Sequence, residues 1–96
     1  MLANRIEGKV AKIGETGNLI TDIPVAQISD IPHDESVTIA FGDHSTVSIF
    51  PAEHDQPDAT MVASFGKSGF LEIEIVGISL ADMLGIQVNE AVRVAW

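Results

Sequence analysis

Residues 60–76, TMVASFGKSGFLEIEIV, decide the fold class. Two short apolar runs flank Gly66-Lys67-Ser68-Gly69, and this arrangement is typical of two strands joined by a turn. In the second run, Leu and Ile alternate with Glu72 and Glu74, so one face of the strand is apolar and the other carries carboxylates. We interpret the carboxylate face as a stripe in contact with solvent.

The rest of the chain repeats this pattern of short strands and turns. An alternating pair, 36–41 and 46–50, is separated by residues 42–45 and predicts a hairpin. Further strands are expected at 6–13, with Gly8 as a bend, at 18–21 and at 91–95. One helical turn at 25–29, a helix over 79–84 and an acidic exposed loop over 51–59 complete the prediction.

Six or seven short strands with one short helix, 79–84, predict an all-β fold, because the apolar residues are mainly Val, Ile, Leu and Ala. An open sheet of such strands would leave long unpaired edges, so we expect a small, closed, Greek-key-like barrel. Ninety-six residues suit one hydrophobic core, and residues 1–96 are therefore expected to form a single domain.

The charge distribution narrows the choice of partners. Fourteen acids and five bases give a net charge of −9, and no base lies between Lys12 and Lys67. Such a surface repels phosphate backbones and anionic lipids, so we expect neither nucleic acid nor a membrane as partner. With no cysteine, no apolar stretch of membrane-spanning length and no signal peptide at the start, the sequence predicts a cytoplasmic protein.

Two motifs bear on possible chemistry. Gly66-Lys67-Ser68 matches the end of a phosphate-binding loop, but Met61 stands where that motif needs its first glycine. His33-Asp34, Asp43-His44 and His54-Asp55 are competent metal ligands if their loops converge, although nothing in their spacing requires it. No serine lies in a Gly-x-Ser-x-Gly elbow, so the sequence assigns no catalytic residue and no metal site.

Four segments together resemble a known family. They are Gly17–Ile23 (GNLITDI), Gly69–Ile73 (GFLEI), Ala81–Gly85 and Val92–Val94. In this order they resemble the C-terminal domain of the S-adenosylmethionine hydroxide adenosyltransferases, a family that includes the fluorinase and the chlorinase. The resemblance implies a Greek-key barrel of about seven strands, and a trimer that binds S-adenosylmethionine between domains of neighbouring subunits. The catalytic α/β domain that precedes the barrel in the family is expected to be absent from this chain.

The resemblance also implies four candidate ligand-binding residues. Asn18 matches a family asparagine that contacts adenine, and Phe50 stands where an aromatic residue packs on adenine. Lys67, preceded by Gly66, stands where the family has a serine that hydrogen-bonds the methionine carboxylate, and Ser68 follows it in the same turn. Departures from the family pattern include Thr16 in place of Phe and Glu74 in place of Ala. Each residue also has a structural alternative, in which Asn18 makes a tight turn and Phe50 belongs to the core.

These observations lead to two expectations about function. The first is a stand-alone, non-catalytic barrel that binds a nucleoside or assembles with a partner. The alternative is one subunit of a split hydroxide adenosyltransferase, completed by a separate α/β chain, which hydrolyses S-adenosylmethionine to adenosine and methionine. No cofactor is required by the first expectation, and S-adenosylmethionine or adenosine is the ligand that the resemblance suggests. A homo-oligomer, specifically a trimer, is the expected assembly.

Overall fold

The computed structural model describes residues 4–96 of the chain. Seven strands and two short helices follow one another along this part. They are β1 (Arg5–Ile13), β2 (Leu19–Pro24), α1 (Val25–Ile28), β3 (Thr38–Phe41), β4 (His44–Val47), β5 (Met61–Phe65), β6 (Phe70–Ile75), α2 (Leu80–Leu84) and β7 (Ala91–Ala95). The predicted all-β class is confirmed.

The strands form a nearly closed antiparallel barrel in the order β4-β3-β7-β1-β2-β6-β5. The two edge strands approach each other where Thr46 Oγ1 donates to Met61 O at 3.4 Å. Beyond β4, the chain runs along the free edge of β5, and Phe50 N donates to Ala63 O at 2.8 Å. Part of the free edge of β5 is thereby paired, and covering such edges is the physical reason for closing a sheet of short strands.

Strand β1 belongs to both halves of the barrel. Its first part pairs with β7, from Arg5 opposite Ala95 to Lys9 opposite Ala91, and its second part pairs with β2. The partner changes between Lys9 and Val10, and a register shift between Val10 and Lys12 interrupts the pairing with β2 just after this change. Such a bulge increases local bend and twist, so the strand turns from one half of the barrel into the other. The sequence predicts a bend at Gly8, and the observed bulge lies slightly later in the chain.

The core is a single cluster of apolar side chains from strands and helices along the whole described chain. The alternating residues predicted to face inward on β6 and β7 are buried, and Phe41 is the largest fully buried side chain. Each fully buried Val, Leu, Ile or Phe contributes about 1.5–3 kcal/mol of hydrophobic stabilisation. A core of small aliphatic residues is what the composition predicts.

Two local details differ from the sequence prediction. The predicted hairpin has a turn of two residues, Gly42 and Asp43, and not four, so β4 begins at His44. The strand then ends at Val47, because Ser48 takes a φ of 72°, a left-handed conformation that interrupts a strand. The helical turn expected after Pro24 is present as α1, in addition to the longer helix.

Helix α2 has the ends that its sequence predicts. The hydroxyl of Ser79 accepts a hydrogen bond from Asp82 N at 3.3 Å, as an N-cap should. Gly85 ends the helix with a φ of 67°, and its N–H donates to Ala81 O. Neither this helix nor α1 has the length and apolar character needed to cross a lipid bilayer, within residues 4–96.

Candidate functional site

Two loops distant in sequence meet on one carboxylate of β6. Asn18 Nδ2 donates to Glu72 Oε1 at 2.8 Å, and the hydroxyl of Ser68 donates to Glu72 Oε2 at 2.8 Å. Thr16 Oγ1 in turn donates to Asn18 Oδ1 at 2.9 Å. We call Thr16, Asn18, Ser68 and Glu72 the polar junction. Hydrogen bonds to an ionised carboxylate are roughly twice as strong as neutral ones, so the junction ties the β1–β2 loop to the β5–β6 turn.

Strand pairing explains why these residues converge. Asn18 immediately precedes β2, and the pairing of β2 with β6 sets Ile20 opposite Glu72. Ser68 lies in the turn that leads into β6. Gly66, at the start of that turn, has no room for a side chain, because a Cβ there would overlap the Glu72 carboxylate. The glycine therefore makes space for the junction.

A small cavity of about 290 Å³ lies beside the polar junction. We call it the slot, and its walls are formed by Thr16, Glu74, Ile75, Gly77, Ile78 and Ser79. The volume is near the lower limit of typical ligand pockets. Hydroxyl, carboxylate and aliphatic groups line it, so it suits a small ligand with an apolar body and hydrogen-bond donors.

The β1–β2 loop is fixed against helix α2 at the mouth of the slot. Ala81 N donates to Gly17 O at 2.9 Å. Gly17 has a φ of 81°, and a Cβ at this position would overlap the side chain and Cα of Ser79. Both the backbone conformation and the close approach therefore require glycine here. The loop and the helix are therefore in direct backbone contact at this point.

The loop between β4 and β5 is attached to the same face of β6. His54 Nε2 lies 2.7 Å from Glu74 Oε1, and the His54 side chain is only 9% exposed. The Gln56 N–H donates to His54 Nδ1 at 3.3 Å, so the protein itself occupies both ring nitrogens of His54. The sequence predicts an exposed loop, but Ala52, His54 and Gln56 are half-buried.

The predicted site residues fall into two groups. Asn18 and Ser68 come together in the polar junction, with Lys67 exposed beside Ser68. Phe50 belongs to a separate set of contacts, because its ring lies 6.2 Å, edge to face, from that of His54.

Sequence reasoning misses the roles of Glu72 and Glu74, since alternation alone makes them a solvated stripe. They are half-buried, and each accepts hydrogen bonds from a loop. Their partners Asn18 and His54 lie 54 and 20 residues away in sequence. The one available signal was that two neighbouring carboxylates on a strand lie close to two polar loops at one end of the barrel.

The three histidines do not converge. His33 is within 2.7 Å of Ile28 O, His44 lies near Phe41, and His54 bonds Glu74. In the part of the chain that the structure describes, no group of three or more His, Asp or Glu residues could hold a metal ion.

Comparison with known proteins supplies the family. The sequence model of the SAM hydroxide adenosyltransferase C-terminal domain matches residues 8–93. No curated protein matches the chain.

Two solved structures share the fold. One is an uncharacterized conserved protein from Thermotoga maritima, with a TM-score of 0.75 and 21% identity over 96% of this chain and 36% of that one. The other is a conserved hypothetical protein from Thermus thermophilus, with a TM-score of 0.67 and 23% identity over 92% of this chain and 32% of that one. The chain therefore spans about a third of the length of each. Since the family model covers nearly the whole sequence, the chain belongs to the SAM hydroxide adenosyltransferase C-terminal domain family.

Proposed function

We propose that this barrel is a non-catalytic module of its family, in which the side chains that resemble ligand contacts hold one end of the barrel together. The observation that supports this proposal is that the Glu72 carboxylate already accepts hydrogen bonds from other side chains of the protein. Asn18 and Ser68 are candidate ligand-binding residues from the family resemblance, and both donate a hydrogen bond to the Glu72 carboxylate. Binding S-adenosylmethionine through them would have to replace two charge-assisted hydrogen bonds, which reduces the net gain from the new contacts.

The surroundings of the slot also argue against catalysis by these residues alone. A general base needs a free lone pair directed at its substrate. His54 has one ring nitrogen bonded to Glu74 and the other to the Gln56 amide, and it is nearly enclosed. The histidine therefore orients the loop and is not poised to abstract a proton.

Incubation of the purified protein with S-adenosylmethionine tests this function. We expect no release of adenosine or methionine, measured by chromatography, and no heat of binding with S-adenosylmethionine or adenosine in calorimetric titration. Heat that is lost in Asn18→Ala but kept in the matched variant Asn4→Ala would contradict the proposal and would establish the polar junction as part of a nucleoside site. Turnover by the isolated protein would overturn it entirely.

A second candidate function is supported by the surface next to the slot. Met83 and Val88 are 58% and 47% exposed, beside a groove lined in part by Ile13, Ala81 and Ile86. An exposed apolar surface next to the slot is typical of a surface that packs against another domain. On this alternative, the barrel completes a hydroxide adenosyltransferase whose α/β part lies on a separate chain. Co-elution of the two purified chains, with release of adenosine only on mixing, is the expected result, and separate elution would contradict it.

A further inference from the structure

Strand β2 departs from regular pairing on both of its sides. Towards β6, residues 21–23 of β2 stand where β6 has the single residue Leu71. Towards β1, a register shift lies between Val10 and Lys12. Two irregularities therefore flank the same part of β2. Bulges of this kind re-aim side chains and are frequent beside binding sites.

A buried side chain closes the gap between β2 and β6. Thr21 is 1% exposed, and its hydroxyl donates to Leu71 O at 2.7 Å. The same hydroxyl accepts the N–H of Ile23 at 3.2 Å. These bonds take the place of bonds between the two strands, as buried backbone groups require. The irregular pairing is therefore a stable part of the fold.

A shallow groove lies on the outer surface at this irregularity. Its volume is about 290 Å³ and its surface is mostly apolar, with Ala11, Ile20 and Phe70 among the residues that line it. Phe70 is 37% exposed, so its ring is accessible to a ligand. We call this cavity the bulge groove. It shares no lining residue with the slot, so the two are separate cavities.

The charged side chains that line the bulge groove are Lys12 and Asp22. Asp22 Oδ1 already accepts the backbone N–H of Lys9, at 2.9 Å. Within residues 4–96, the Lys12 ammonium forms no ion pair. The charge that is available to a ligand in this groove is therefore positive.

A third charged residue, Glu72, flanks the groove across β2. Lys12 and Glu72 both pair with Ile20, one from each side, so their Cα atoms are about two strand spacings, or about 10 Å, apart. Both oxygens of Glu72 accept hydrogen bonds from side chains of the protein. A singly charged anion is therefore favoured at the Lys12 end, whereas Asp22 and Glu72 would repel a doubly charged phosphate more strongly.

We propose that the bulge groove binds a small aromatic carboxylate. The ring packs on Ile20 and against Phe70, and the carboxylate pairs with the Lys12 ammonium. Aromatic rings prefer offset or edge-to-face contacts, which the accessible ring of Phe70 permits. The volume is near the lower limit of ligand pockets and suits a single ring with a short carboxylate arm. This inference does not rest on the role of the slot or of the polar junction.

Titration of the isotope-labelled protein with phenylpropionate, followed by two-dimensional amide NMR spectra, tests the proposal. The expected result is a saturable shift of the amide signals of Ala11, Ile20 and Phe70, with a Kd of about 1 mM or lower. The neutral phenylpropionamide should bind about threefold more weakly, because it lacks the charge that pairs with Lys12. The cationic phenylpropylamine should bind more weakly still.

Two exposed lysines provide the variant and its matched control. Lys12→Gln should weaken binding of phenylpropionate about threefold, as loss of an exposed ion pair does, and should leave the affinity for phenylpropionamide unchanged. Lys67→Gln removes the same charge from the β5–β6 turn and should change neither affinity. Phe70→Ala should weaken binding of all three compounds, since it removes the contact with the ring. Unchanged amide signals from the core of each variant show that the fold is retained.

Three outcomes would overturn the proposal. Failure of the shifts to saturate below about 10 mM phenylpropionate would remove the site. Equal affinities for phenylpropionate and phenylpropylamine would remove the role of Lys12. Weaker binding in Lys67→Gln but not in Lys12→Gln would move the carboxylate to the β5–β6 turn, and shifts confined to Thr16 and Gly77 would move the ligand to the slot.

Discussion

His54 Nε2 lies 2.7 Å from Oε1 of Glu74, and this one bond fastens the loop between β4 and β5 to the outer face of β6. The His54 ring is almost enclosed, whereas Glu74 is 36% exposed. Removing either partner of this hydrogen bond leaves the other polar group without its partner, which lowers the stability of the folded state. The His54 side chain therefore holds the middle of this loop, while backbone hydrogen bonds from Phe50 N to Ala63 O and from Ala59 N to Val76 O hold its two ends.

We expect His54→Ala to lower the free energy of unfolding by about 1.5–3 kcal/mol, the usual contribution of a hydrogen bond to a charged group. Urea denaturation measures this loss. A double-mutant cycle with Glu74→Ala should show a coupling of about 0.5–3 kcal/mol. His44→Ala is the control, and an equal loss there would show that the effect is not specific to the bond with Glu74.

The contact between Gly17 and Ser79 predicts a difference between two glycines. Gly17 and Gly85 both have left-handed backbone, with φ of 81° and 67°. A Cβ at Gly17 would overlap Ser79, whereas nothing lies within 4 Å of one at Gly85. Alanine at either position costs about 1 kcal/mol through backbone strain.

Gly17→Ala should therefore destabilise the protein more than Gly85→Ala, with overpacking adding about 1 kcal/mol. Thermal denaturation of the two variants measures the difference. Equal losses in melting temperature would mean that the loop can move away from helix α2 without cost.

Substitutions at Gly66 and Glu72 should have non-additive effects on stability, because a side chain at Gly66 would overlap the Glu72 carboxylate. Gly66→Ala should cost about 1–3 kcal/mol in the native background, because the new methyl group displaces the Glu72 carboxylate from the polar junction. In a Glu72→Ala background, the same substitution should cost clearly less, because the overlap is gone. Additive losses in urea denaturation would contradict this account.

The Ser36 side chain lowers the pKa of Asp34 below the ordinary aspartate value. The largest cause is the hydrogen bond from the Ser36 hydroxyl, at 2.6 Å, followed by the bond from the Ser36 backbone N–H, at 2.9 Å. A lowered folded pKa means that the bonds stabilise the protein at pH values above the ordinary pKa and lose this effect as the pH falls through the folded pKa. In an NMR titration, Ser36→Ala should raise the pKa of Asp34, and an unchanged value would show that the hydroxyl contributes nothing.

Much of the barrel was predictable, because alternation reports directly which face of a strand is buried. Leu71, Ile73 and Ile75 point inward as predicted, and the N-cap Ser79 and terminal Gly85 set the helix where expected. The hairpin turn was less predictable. Its length depends on where β4 begins, and β4 ends early because Ser48 takes a left-handed conformation that nothing in its residue type requires.

The site was harder to predict than the fold. Alternation indicates that Glu72 and Glu74 face away from the core, but it does not report what covers them there. Their partners arrive from loops whose positions depend on the pairing of β2 with β6 and on the path of the chain after β4. Those are tertiary relationships, so the sequence pattern alone could identify Asn18 and Ser68 as candidates without showing that they share one carboxylate.

The adjacency of β1 and β7 has a consequence for how the chain acquires its structure. Asn4 and Trp96 exchange two backbone hydrogen bonds of 3.0 Å, and β3 joins the sheet only through β4 and β7. The hairpin of β3 and β4 is therefore joined to β1 only when residues 91–95 lie between them. Pairings of such large sequence separation close late and slowly, because loop-closure entropy is lost before the contacts form. During synthesis on a ribosome, β1 cannot pair with β7 until residues 91–95 have been made, so the half of the barrel that contains this pair cannot assemble before then.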